Sequence, residues 1–455
     1  MSIRRHSAPI RFGLGLRLGE TPPADPAAWL AEQVATAAAP PTGPTVAEAV
    51  HLNQQATLER RAARAAQPAS PRPDAGMAAP APDVPEAMRP SRENIAALTR
   101  LIRDESREWM DRRLTAAQPF RERLVDFWMN HFTVSRRGGP PHLVGTMERD
   151  AIRPHVTGRF ADMLVAVTRH PAMLMYLDNH ISVGPNSQAS RNGRRGLNEN
   201  LAREVLELHT LSPAGGYTQG DVQELARILT GWTVITDREP FNFAWRPQAH
   251  EPGPKSVLGK RFPEGEGSQE AALRFLAGHP ATSRRIAVKL ARHFIADDPP
   301  PDAVRRLEEV FRRTEGDLGA TTMALIELPQ AWNPPLTKFR TPYDYVLAAA
   351  RALGVERADR ALSGMTALGQ PHWTPPQPNG WADIASGWMG PEAMMRRIDW
   401  AYTLAGTASR TDVAAAVEAG LGPFARAETV SAMRVAGSTR DALTLLLGSP
   451  EFMHR

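Results

Sequence analysis

The run Gly196-Leu197-Asn198-Glu199-Asn200-Leu201-Ala202-Arg203-Glu204-Val205-Leu206-Glu207-Leu208-His209-Thr210-Leu211 reads as one amphipathic helix. At about 100° per residue, Asn200, Arg203, Glu204 and Glu207 fall within about 100° of one another. Leu201, Val205, Leu206 and Leu208 take the opposite side, and His209 points into the middle of them. Such a helix has a dense polar stripe and a core-facing imidazole to satisfy.

The same helical periodicity extends outward in both directions. Upstream, 25–38 and 45–65 read as helices rich in Ala, Glu and Arg. Ser91 is a candidate N-cap for a helix with Ile95, Leu98, Ile102 and Trp109 on one side. Leu124, Phe127, Trp128 and Phe132 form the next apolar face, and Ile152, Phe160, Leu164 and Val167 another, with Pro154 and Gly158 marking a kink or break. Pro171 opens a short helix that runs into Asp178-Asn179, and a Gly/Ser/Asn/Arg-rich loop covers 183–196. Downstream, Thr218-Gln219-Gly220-Asp221 is a capping-box variant that starts a helix stopped near Gly231. Helices are expected at 268–278, 282–296, 302–314, 318–328, 342–353, 391–406 and 438–447, and strand-like composition is confined to 233–262. The predicted fold is mainly α: a large multi-helix domain with a minor β hairpin or irregular lobe near 233–262. Residues 68–90 hold many prolines and alanines and few large apolar side chains, so they read as a flexible linker or long loop. This divides the chain into a helical segment at 1–67 that docks on the main domain, the linker at 68–90, and the main helical domain at 91–455.

Composition narrows the function classes. The chain has 455 residues, 42% of them hydrophobic and 23% charged, which is enough to bury a large core. Without a run of 18 apolar residues, a membrane-spanning helix is not expected. Arg4-Arg5 near the start is followed by Pro9 and Arg11 rather than by an apolar stretch, so no signal peptide is read and the sequence taken alone suggests a cytoplasmic protein. There is no cysteine, which excludes disulfides, thiolate zinc sites and cysteine nucleophiles. The net charge of +5 comes from arginine, since only Lys255, Lys260, Lys289 and Lys338 are lysines. With no basic helix, no aromatic–basic alternation and no zinc-finger spacing, nucleic acid is not the expected partner; a protein partner is not excluded.

Several segments are similar to the bacterial family catalogued as domain of unknown function 1800. They are Arg11-Phe12-Gly13-Leu14-Gly15, Phe127-Trp128-Met129-Asn130-His131-Phe132, His170-Pro171-Ala172-Met173-Leu174 with Tyr176-Leu177-Asp178-Asn179, and 198–211 with Gly215-Gly216-Tyr217-Thr218-Gln219. Leu229-Thr230-Gly231-Trp232, His279-Pro280, Lys289-Leu290, Asp298-Pro299-Pro300 and Pro378-Asn379-Gly380-Trp381 extend the match to the C-terminal region. Ser212-Pro213 stands where the family's helix end usually has Gly, and His250-Glu251 where His-Asp is frequent. The resemblance implies relatives that are often exported, and no activity.

Two functional readings follow from the residues. In the first, the protein is a metal-assisted hydrolase or related enzyme. Glu199, Glu204 and Glu207 act with His131 as acids and bases, and Asp178, Glu204, Glu207 and His209 offer ligands to a divalent metal. Glu204 and His209 are five residues apart, and neither Glu-x-x-His nor His-Glu-x-x-His is present, so such a site needs other helices. In the second, the protein is a helical scaffold or partner-binding protein. Arg203 then bridges Glu199 and Glu207, each four residues away, and His209 is a core histidine bonded to a carbonyl or carboxylate. Arg191, Arg194 and Arg195, ahead of the helix N-terminus, suit an anion or pair with nearby carboxylates. Trp373, Pro375, Pro376, Pro378 and Trp381 read either as an aromatic ligand-binding groove or as a rigid strap.

Overall fold

The computed structural model describes residues 2–36, 42–66, 92–190, 196–333 and 336–455. Among these the chain is mainly α, with twenty helices and two small antiparallel two-stranded sheets. The Pro/Ala-rich stretch expected at 68–90 and the expected cap Ser91 lie outside the described residues. The helix they precede, Glu93–Leu114, has its first turn held by Glu59, whose carboxylate accepts from the backbone N–H of Asn94 and Ile95 at 3.2 and 3.0 Å. Glu59 belongs to helix Val46–Ala65, which packs along Glu93–Leu114.

Local chemistry sets most helix starts. Asp25 and Pro26, Thr45 with Glu48, and Thr218 with Asp221 satisfy the free N–H groups of their first turns. Two of the family-like segments share a less common device. His170 and His279 each precede a proline, and each Nδ1 accepts the N–H two residues on, from Ala172 and Ala281. The His-Pro pairs are therefore helix caps. The strand-like region forms two hairpins instead of one, Trp232–Val234 with Phe243–Trp245 and Lys255–Val257 with Lys260–Phe262. Asn179 ties the first to the helical body, its amide donating to the carbonyls of Leu229 and Trp232.

Buried side chains gather into two large apolar clusters. One spans much of 8–332 and the other is built mostly from 339–453 with Leu14, Trp109, Met110 and Leu114. Segment 8–16 threads between them. Phe12 packs on Phe120, Phe294 and Trp332 in the first, Leu14 enters the second, and the carbonyls of Gly13 and Gly15 accept from Arg123 and Arg351. Helix Pro119–His131 lies at the junction. Its Phe120, Leu124, Phe127 and Trp128 join the first cluster, while Glu122, Arg123 and Asp126 face a layer of buried charge.

Candidate functional site

The signature segment is not one regular α-helix. Helix Asn200–Glu204 runs into a π-helical turn, Val205–His209, whose i→i+5 bonding widens the turn, so the angular positions expected over 198–211 hold only for its first part. Leu201, Ala202, Val205, Leu206 and His209 are buried. Arg203 donates to Glu199 at 2.9 Å and to Gln219 at 3.1 Å, and Gln219 donates to Glu199 at 2.7 Å. The expected second bridge to Glu207 does not form; Glu207 lies toward Arg285 and Tyr217 without an ion pair among the described residues. Burial, and then the neighbouring Glu207, push the Glu204 carboxyl up.

His131 and His209 face each other with ring centres 6.2 Å apart, packed against Phe132. His131 Nε2 donates to the His209 carbonyl at 3.1 Å, and the Nδ1 atoms of both rings are buried without a partner among the described residues. Burial, with the nearby Lys289, pushes both imidazoles down, His209 to about 3, so they are neutral at ordinary pH. Asp178 is exposed in a left-handed conformation (φ 57°). Asp178, Glu204, Glu207 and His209 are thus not brought together; among the described residues no three His, Asp or Glu side chains are grouped to hold a metal ion. Arg191, Arg194 and Arg195 lie outside the described residues.

The charged layer between the clusters gathers far more. Arg113, fully buried, contacts Asp126 at 2.6 Å, Glu148 at 3.3 Å and Glu122 at 3.4 Å, and Arg153 pairs with Glu122 at 2.6 Å and Glu148 at 2.7 Å. On the other side of Pro119–His131, Asp344 accepts from Arg123 and Arg455, while Asp383 meets His293 and Lys338. The Tyr343 hydroxyl donates to Asp126 at 2.5 Å. Burial pushes both groups up, Tyr343 well above its ordinary value, with the Asp126 charge adding to its shift.

A pocket of about 110 Å³ opens along this layer, lined among others by Trp109, Asp126, Tyr343, His372, Trp373 and Trp381. His372 sits in the corner of two indoles, 4.0 Å from the ring centres of both Trp109 and Trp373. The guanidinium of Arg113 lies 4.1 Å from the Trp109 ring and that of Arg136 4.7 Å from Trp373. Burial, then Arg136, Arg113 and Arg112, hold His372 well below its ordinary value, so its ring is neutral. Among the described residues neither of its nitrogens, nor Trp109 Nε1, has a partner. One wall is the aromatic–proline segment read as a groove or a strap. Asn130 clamps it by bonding to the Trp381 backbone, and Gly380 fits against Asn130 where a Cβ would stand 2.5 Å from the Asn130 carbonyl. Two separated signature segments, around Asn130 and around Gly380-Trp381, therefore meet at the pocket. Asp126, Tyr343, Gln370 and His372 were not among the residues singled out from sequence. The available signal was Glu122 and Asp126, one turn apart on a helix that is otherwise a core helix.

Fold and site together define a large helical protein whose polar side chains are gathered in a layer between two apolar cores. The chain belongs to the family described as "Protein of unknown function (DUF1800)", whose model matches residues 8–454. No curated protein and no solved structure matches it. The resemblance read from the signature segments is borne out, and no helix of the described residues is long and apolar enough to cross a membrane.

Proposed function

We propose that the protein binds a small, neutral, ring-bearing molecule in the pocket between its two cores. The observation that carries this reading is a cavity of about 110 Å³ lined by three indoles and by His372, whose neutral ring packs against two of them. The indoles of Trp109, Trp373 and Trp381 supply flat apolar walls. Asp126, Asp344 and Asp383 on the wall are already matched by Arg113, by Arg123 and Arg455, and by Lys338, so the pocket presents no unbalanced charge. The volume suits a single ring better than one water molecule.

The test is thermal unfolding and tryptophan fluorescence of the full chain against a panel of monosaccharides and neutral heteroaromatic rings. Members of the panel should raise the melting temperature of the wild type and leave His372→Phe unmoved. A panel without effect, together with a pocket-filling Thr133→Trp variant as stable as the wild type, overturns the reading.

A second reading, acid–base or metal-assisted hydrolysis by the carboxylate stripe, draws support from Glu204, whose raised carboxyl stands beside Glu207. It calls for a further ligand beyond those two acids. Stoichiometric divalent metal in the purified protein, lost in Glu204→Gln, is its test. The scaffold alternative draws on the backbone bonds that occupy Asn130, Asn179, His170 and His279.

A further inference from the structure

Helix Pro280–Phe294 carries Arg285, Lys289 and Arg292 at spacings of four and three, which places all three on one side. With Arg284 they line a groove of about 380 Å³ whose other walls are Leu211, Ser212, Ala214, Ala281 and Val288. Among the described residues no carboxylate lines it. Arg284 pairs with Glu308 at 3.1 Å, Arg285 Nε donates to the Leu208 carbonyl, and Arg292 Nε donates to the Asp297 carbonyl. Among the described residues the Lys289 ammonium has neither a hydrogen bond nor an ion pair.

This is an expensive arrangement. Three half-buried cations, Arg285, Lys289 and Arg292, share one side of the groove with no ion pair among the described residues, and the charges facing Lys289 are mostly of its own sign. From its own helix come Arg285 and Arg292, from the neighbouring helices the neutral His131 and His209, and from the aromatic segment Asp383. Glu207 is near Arg285 but forms no bond with it. Burial, with the adjacent arginines, pushes the Lys289 amine down to about 7. An incoming anion reverses that pressure, because it gives the ammonium the charge-assisted partner that the protein withholds.

We propose that the groove bearing Arg285, Lys289 and Arg292 binds a tetrahedral dianion, phosphate either free or as the monoester end of a larger ligand. Each guanidinium spends its Nε on a backbone carbonyl, which fixes its plane and leaves its terminal nitrogens for the anion. Lys289 adds a point charge from between them. This site is separate in its lining from the ring-binding pocket, and the two proposals stand or fall independently.

The experiment is calorimetric titration of the full chain with inorganic phosphate and with glycerol 1-phosphate, beside melting curves in phosphate and in chloride at equal ionic strength. The expected result is binding at one per chain, weakened at least about tenfold, or about 1.4 kcal/mol, in Lys289→Met and restored in Lys289→Arg. Exposed Arg238→Met should leave it unchanged. A folded Lys289→Met tests the contact directly; if that variant does not fold, Arg285→Met replaces it. Tighter binding of the ester than of free phosphate identifies the site as the anchor of a larger ligand, and the reverse identifies a closed site for the free ion. Absence of heat and of any phosphate-specific melting shift in the wild type, or equal affinity in Lys289→Met, overturns the proposal.

Discussion

The side-chain amide of Asn130 brackets the backbone of Trp381, accepting its N–H at 2.8 Å and donating to its carbonyl at 3.0 Å. One amide thereby gives a segment without helix or strand a two-point attachment to the junction helix. Asn130→Ala should cost about 2–4 kcal/mol, since both backbone groups lose their partners. Gly380→Ala should cost a similar amount, because its φ of 80° and the 2.5 Å approach to the Asn130 carbonyl leave no place for a methyl. Urea denaturation of both variants checks this; losses near zero would show that the segment is held by its tryptophans alone.

Ser212 predicts a gain. Its φ of 74° with ψ of 164° belongs to a region that glycine occupies freely and side chains resist. Ser212→Gly should stabilise the protein by about 1–2 kcal/mol, offset in part by the extra freedom of glycine in the unfolded chain. The denaturation midpoint should rise at an unchanged m value.

Glu148 holds Arg113 and Arg153 in the interior, at 3.3 and 2.7 Å, with Arg112 at 3.6 Å. Removing its charge strands buried guanidinium groups. Glu148→Gln should therefore destabilise by about 3–5 kcal/mol. Glu392→Gln removes an equally short pair, with Arg396, on the surface and should cost less than about 0.5 kcal/mol. Equal losses in the two variants would refute the distinction.

Acid should act first through histidine. Burial sets His142 at about 4, His209 at about 3 and His293 at about 4, each below the 6.5 of an unhindered imidazole. Between those limits the unfolded chain binds protons that the folded chain refuses. Stability is then fully present above about pH 6.5 and declines as the pH falls toward 4, by up to about 1.4 kcal/mol per pH unit for each such histidine. Carboxylates add a second loss at lower pH: Glu148, which its arginines hold at about 2, and Asp344 and Asp383, which their cationic partners hold lower still. Guanidinium titrations at pH 7.5, 6 and 4.5 should show this decline, and a flat profile would contradict it.

What the sequence reveals and what it conceals divide along the range of the interactions. The Thr218–Asp221 capping box was readable because its partners are three residues apart, and helix faces such as Phe127–Trp128 follow from periodicity. The unusual Ser212 was readable too, as a serine in a position where glycine is usual in the family. The π-turn at Val205–His209 was not: those residues suit an α-helix equally well, and only the tertiary environment decides. The expected Arg203–Glu207 bridge fails for the same reason. The pocket was half legible, through its prolines and tryptophans. Of its polar members, Asp126 lies 217 residues before Tyr343 and further still from His372, and their meeting depends on how two cores are joined.

The threading of segment 8–16 between those cores has a consequence for the timing of folding. Arg11 bonds the carbonyls of Ala331 and Asn333, and Gly15 accepts from Arg351, so this early stretch waits more than 300 residues for its partners. At roughly 5–20 residues per second, a ribosome takes on the order of tens of seconds to supply them. During that interval Phe120 and Arg123 on the junction helix are there to meet Phe12 and Gly13, but Arg11 and Gly15 still wait for their partners. Closure of the two cores around the segment is a late, long-range event, and slow compaction with a need for protection against association is the kinetic signature this topology dictates.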